Sequence, residues 1–81
     1  MLDLIIQVAA VTGLMYHGGQ PQIVHKPGLP FPSGYRAGTI YTRSPWPLRQ
    51  HLAHEICHWL QDTNNLPLDE RQCYIVQRRL K

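Results

Sequence analysis

Apolar residues in the first segment recur at helical spacing. Leu2, Ile5, Ile6, Ala9, Ala10 and Leu14 fall three or four positions apart, which predicts a helix over residues 2–15. Gly13 and then Gly18-Gly19 bring it to an end. The helical period then disappears. Pro and Gly crowd residues 21–32, which leaves room for a short strand at Gln22-Ile23-Val24-His25 and a loop over residues 26–34. Within residues 35–43, the β-branched and aromatic run Thr39-Ile40-Tyr41-Thr42 predicts a second strand. The two strands are expected to pair as a hairpin across a long connection.

The helical period returns after Ser44-Pro45-Trp46-Pro47, where a Ser can cap and Pro is tolerated in a first turn. Leu48, Leu52, Ile56 and Leu60, with Trp59 beside them, predict a helix over about residues 47–62 that Asn64-Asn65 ends. Pro67 opens a third helix running to about residue 80, with Asp69 and Glu70 in its first turn, where acidic groups suit the helix dipole. There is no internal repeat. The order helix, hairpin, helix, helix makes this an α+β chain, and 81 residues make it a single domain, 1–81, with one modest core. So small a core leaves little margin over conformational entropy, and a bound metal would add to it.

Composition narrows the classes. Apolar residues make up 43% and charged residues only 16% of the chain. The net charge is +3, with Arg71, Arg78, Arg79 and Lys81 near the C-terminus. No aromatic-interleaved basic stripe accompanies them, so they are read as a solvated helix face and no nucleic acid is expected. Cys57 and Cys73 do not make a disulfide framework and are read as buried free thiols rather than as one bridge between neighbouring helices. The apolar N-terminus lacks a basic leader, carries Asp3 and Gln7, and is too short to span a bilayer. The expectation is a cytoplasmic chain with no membrane segment.

The chemistry concentrates in His54-Glu55-Ile56-Cys57-His58. Two histidines four residues apart on a helix project from one face, so two ring nitrogens can reach one ion at about 2.0–2.1 Å. Glu55 lies about 100° around from His54, near such an ion but poorly placed to ligate with both histidines. Its natural task is to accept a proton from water and deliver it to a leaving amine. Glu70, twelve residues after His58, can return beside the histidines if a turn at residues 63–66 makes the third helix antiparallel. Glu70, Tyr74 and Gln77 then share one face. Asp69 is the rival third ligand, but it faces differently.

His54-Glu55-x-x-His58 followed by Glu70 on the next helix resembles the gluzincin branch of zinc metallopeptidases. The stretch Glu70-Arg71-Gln72-Cys73-Tyr74-Ile75-Val76-Gln77, with Gln61 three residues after His58, is similar to small zincin-like proteins of bacteria and phages that combine His-Glu-x-x-His-x-x-Gln with Glu-x-x-Ala-Tyr-x-x-Gln. The resemblance covers roughly residues 37–80. It implies a minimal zincin-like fold, one Zn2+ held by His54, His58 and Glu70, and Glu55 as general base. Cys73 departs from the Ala of that pattern, and it or Cys57 could compete as a soft ligand. Cys57 is otherwise read as core.

His51 lies on a similar face, but a third imidazole from one helix would strain tetrahedral geometry, so it is placed at the rim. His17 and His25 read as surface residues. Tyr74, Tyr35 and Tyr41 are candidates to stabilise an oxyanion, with Tyr74 expected to pack between helices. The strand over residues 37–41 is a candidate edge for an extended peptide, with Gly38 permitting close approach. Two functions follow. One is zinc-dependent hydrolysis of peptide bonds in a peptide or protein substrate. The other is a non-catalytic zinc-stabilised module of a larger assembly. So short a chain has no second lobe to wall a cleft, so a partner protein or a homodimer could complete it.

Overall fold

A computed structural model describes residues 1–81. Three helices and a three-stranded sheet form a small α+β domain. Helix α1 spans Leu2–Thr12 and buries Leu4, Ile5 and Val8, while Leu2 and Ile6 of the expected apolar face stay exposed. It ends before residue 15 because Gly13 takes a left-handed conformation (φ 74°) and returns its N–H to the Ala9 carbonyl at 2.8 Å.

The strands are β1, Gln22–His25, β2, Ser33–Arg36, and β3, Thr39–Thr42, in the order β1-β3-β2. The two strands expected from sequence do pair, but in parallel, with Ile23 opposite Ile40. They do not form the hairpin. That joins β2 to β3, with Tyr35 opposite Ile40 and the turn at Ala37-Gly38, both at positive φ (48° and 86°). β1 and β2 run in opposite directions one strand apart, and β3 fills the gap. Ser33-Gly34 therefore belong to a strand rather than to the expected loop. Ser-Gly-Tyr-Arg has little strand propensity of its own, and the ladder to β3 supplies what it lacks. On β3, Ile40 and Thr42 are buried and alternate with half-buried Thr39 and Tyr41.

Helix α2 spans Arg49–Thr63 and starts two residues later than Pro47. Ser44 does not cap it, because its Oγ accepts from the Trp46 N–H in the preceding turn. Residues Ala53 to Gln61 are buried without a break. Nine consecutive buried positions mean that α2 is covered all round, by α1, by the third helix and by β2 and β3. Asn65 (φ 59°) and a bond from Leu66 N–H to the Gln61 carbonyl (2.9 Å) turn the chain back.

Helix α3 spans Glu70–Arg79, later than the Pro67 start expected, with the Asp69 side chain capping the Arg71 N–H at 3.0 Å. It runs antiparallel to α2. Gln61 meets Asp69, His58 meets Glu70, Cys57 meets Cys73 and His54 meets Tyr74, so contacts descend one helix as they climb the other. Cys57 and Cys73 are not free thiols. They form a disulfide across this pair, with Cα atoms 5.5 Å apart, because the inner faces of α2 and α3 bring both side chains to the same level. Neither sulfur is then a thiolate that could compete for a metal. No helix is long and apolar enough to cross a membrane.

Candidate metal centre

One helix places both histidines and the next supplies the carboxylate. The His54 and His58 rings stand edge to face with centroids 5.0 Å apart, both almost wholly buried. Glu70 Oε1 lies 3.2 Å from His54 Nε2 and in contact with His58 Nε2, although the Glu70 side chain is itself 60% exposed. Burial works to raise the Glu70 carboxyl, but hydrogen bonds from His54 and His58, and then their charges, outweigh it and hold the group below the usual carboxylate range. A carboxylate oxygen facing two ring nitrogens needs protons on those nitrogens or a cation among the three.

Glu55 occupies a different place. It is 6% exposed, and its Oε2 accepts a 2.7 Å hydrogen bond from Ser33 Oγ on β2. Its other oxygen accepts no bond from the protein, and the residue opens onto a cleft of about 560 Å³ between β2 and α3. Ligand atoms of His54, Glu55 and His58 lie within 4.8 Å of one another, so this group could hold a metal ion. Two carboxylates thus approach the histidines. Only Glu70 places one oxygen against both Nε2 atoms, whereas Glu55 is tied to Ser33.

The other residues singled out from sequence divide clearly. His51, Tyr74 and Gln77 all line the cleft, and His51 is half-buried at its rim. Tyr74 touches the neighbouring helix but is not enclosed between the two. It is 54% exposed, with its ring 4.7 Å from that of His54 and its hydroxyl without a protein partner. Beyond that contact with α2, the α3 face that carries Tyr74 opens to the cleft. Tyr35 also lines the cleft, but its hydroxyl donates to Asp62 Oδ2 (2.5 Å) and accepts from the Gly38 N–H (2.9 Å). Burial first, and then the Asp62 carboxylate, push its phenol up to about 12.

Tyr41 faces Lys26 instead, with the ammonium 5.6 Å from its ring, and is not part of the cleft. His17 bonds to Asn64 and His25 to the Arg43 carbonyl, both exposed. Asp69 is occupied as the cap of α3. The strand expected to offer an edge, β3, is the central one, paired on both sides, and Gly38 serves its turn. The edge beside the cleft is β2, three of whose residues line it.

Ser33 is the site residue that sequence reasoning missed. A Ser in a Pro- and Gly-rich stretch carries no signal, and only the pairing of β2 against β3 brings it under α2. Gln61, 1% exposed, bonds to His58 Nδ1 at 3.0 Å and to Asp69 and Gln72 on the far side of the turn. His54 Nδ1, by contrast, is buried without a partner. Two imidazole nitrogens and one carboxylate oxygen converge beside an open cleft, an arrangement that could hold a metal ion. Comparison with protein-family models, with curated proteins and with solved structures finds no match to this chain.

Proposed function

We propose that this chain is a minimal zincin-like, zinc-dependent peptidase, and the observation that carries the reading is the meeting of His54 Nε2, His58 Nε2 and Glu70 Oε1 beside a cleft. His54, His58 and Glu70 would hold the ion. When bound, zinc supplies a Lewis acid that acidifies water and polarises a carbonyl. Glu55 works from its unpartnered oxygen as general base, taking a proton from water and passing it to the leaving amine, while Ser33 holds the other oxygen still. Tyr74 brings a free hydroxyl to the cleft as a donor for the oxyanion. The free edge of β2 offers backbone groups to an extended peptide.

The alternative, a zinc clip that only joins two helices, is less well supported. The Cys57–Cys73 bond already joins the same two helices, so a clip between them would add little. The test is zinc content together with cleavage of a mixed peptide library, for the wild type and Glu55→Gln. The variant is expected to keep zinc and lose cleavage. A Glu55→Gln protein that cleaves like the wild type would refute the mechanism, and a folded wild type without zinc would refute the centre.

A further inference from the structure

Gln61 is buried and uses its whole hydrogen-bonding capacity. Its Nε2 donates to the Asp69 carbonyl (3.1 Å) and to Gln72 Oε1 (2.8 Å). Its Oε1 accepts from the Asp69 N–H (3.0 Å) and lies 3.0 Å from His58 Nδ1. The orientation of an amide is often ambiguous, but here the main chain decides it. The N–H of Asp69 can only donate and its C=O can only accept, so Oε1 must face the first and Nε2 the second.

An acceptor therefore stands in front of His58 Nδ1, and that nitrogen must carry a proton. In the neutral ring this leaves Nε2 with its lone pair, aimed at the place where Glu70 Oε1 and His54 Nε2 meet. The only other group near Nδ1 is Cys73 Sγ at 3.5 Å, a disulfide sulfur and a weak acceptor that could not choose the tautomer. His54 has no counterpart, since its Nδ1 is unpartnered.

The same residue shapes the turn. Its backbone carbonyl accepts from Leu66 N–H, and its side chain brackets both main-chain groups of Asp69, the residue immediately before Glu70. We infer that Gln61 is the positioning residue of the metal centre: it fixes His58 as the Nδ1–H tautomer and, through Asp69, sets where Glu70 stands. Two of three ligands are thereby aligned by one side chain, and metal affinity depends on it. This rests on the metal-binding part of the proposed function and is independent of peptide hydrolysis.

The experiment pairs nitrogen NMR of the imidazoles in the metal-free protein with zinc affinity measured by chelator competition. Gln61→Leu removes every bond of the amide, whereas Gln61→Glu keeps an acceptor toward His58 Nδ1. Circular dichroism and thermal melting monitor the fold. In the wild type, His58 Nδ1 is expected to carry a proton, whether or not Nε2 also carries one toward Glu70. Gln61→Leu is expected to bind zinc about 10–100-fold more weakly and to lose the tautomer preference. Gln61→Glu should keep the preference and bind more tightly than Gln61→Leu.

Equal losses in the two variants would show a packing role only and overturn the proposal. So would a His58 Nδ1 that carries no proton in the wild type, which is read even if Gln61→Leu fails to fold. A wild type that binds no zinc removes the metal centre and this proposal with it, whereas zinc binding unchanged by Gln61→Leu removes this proposal alone.

Discussion

Breaking the Cys57–Cys73 bond separates the two parts of the candidate centre, because the histidines stand on α2 and Glu70 on α3. The cross-link closes a loop with a sequence separation of 16. Chain-entropy reasoning assigns a loop of that size about 3 kcal/mol at 25 °C. A domain of this length has a total stability of about 4–12 kcal/mol, so the bond supplies a large share. What remains to hold α3 is Val76 in the core, the adjoining Leu80, the contacts of Glu70 and Tyr74 with the two histidines, and the bonds made by Gln61. The Cys57→Ala/Cys73→Ala variant should therefore unfold in urea at a midpoint lower by about 3 M, taking a slope of about 1 kcal/mol/M for so small a chain. The wild type reduced with a dithiol should behave alike. Affinity for the proposed zinc should fall as well, since Glu70 is held beside the histidines less firmly. Urea unfolding followed by circular dichroism measures the first effect and chelator competition the second. A midpoint shift below about 1 M at unchanged slope would refute the entropic reasoning and show that packing alone fixes α3.

Two further outcomes follow from single contacts. The Tyr35 phenol has its folded value raised to about 12 from 10.0, so the neutral form is favoured by folding. That contribution is complete below pH 10 and is lost as pH rises toward 12, so the alkaline loss of stability should be shallower in Tyr35→Phe, and its ultraviolet titration should lack the phenolate transition near pH 12. A wild type without a transition near pH 12 would refute the raised value. Ser33→Ala leaves the buried Glu55 Oε2 without its donor and should cost about 1–3 kcal/mol in denaturant unfolding while zinc content is unchanged. Undiminished stability would show that Ser33 does not hold Glu55.

The helices and their chemistry were written locally. The four-residue spacing of His54 and His58 fixes a shared face on any helix, whatever packs around it, and Asp69 with Glu70 marks the start of the next one, which Pro67 had placed three residues early. The strands Gln22–His25 and Thr39–Thr42 were legible because β-branched and aromatic residues are concentrated there. Their parallel pairing was not, since it depends on a third strand, Ser33-Gly34-Tyr35-Arg36, with no local signature. That strand also carries Ser33 to Glu55, a partnership between residues 22 apart that no short-range pattern encodes. The cysteines show the same division. Helical periodicity places each of them on an inward face, but whether two inward faces meet at one level depends on how α2 and α3 cross, so only the packed structure makes Cys57 and Cys73 partners rather than separate buried thiols. Residue spacing along one helix determined the histidine pair, and the antiparallel return of the chain decided that Glu70, and not Asp69, stands beside it, because capping the helix occupies Asp69 and turns it outward.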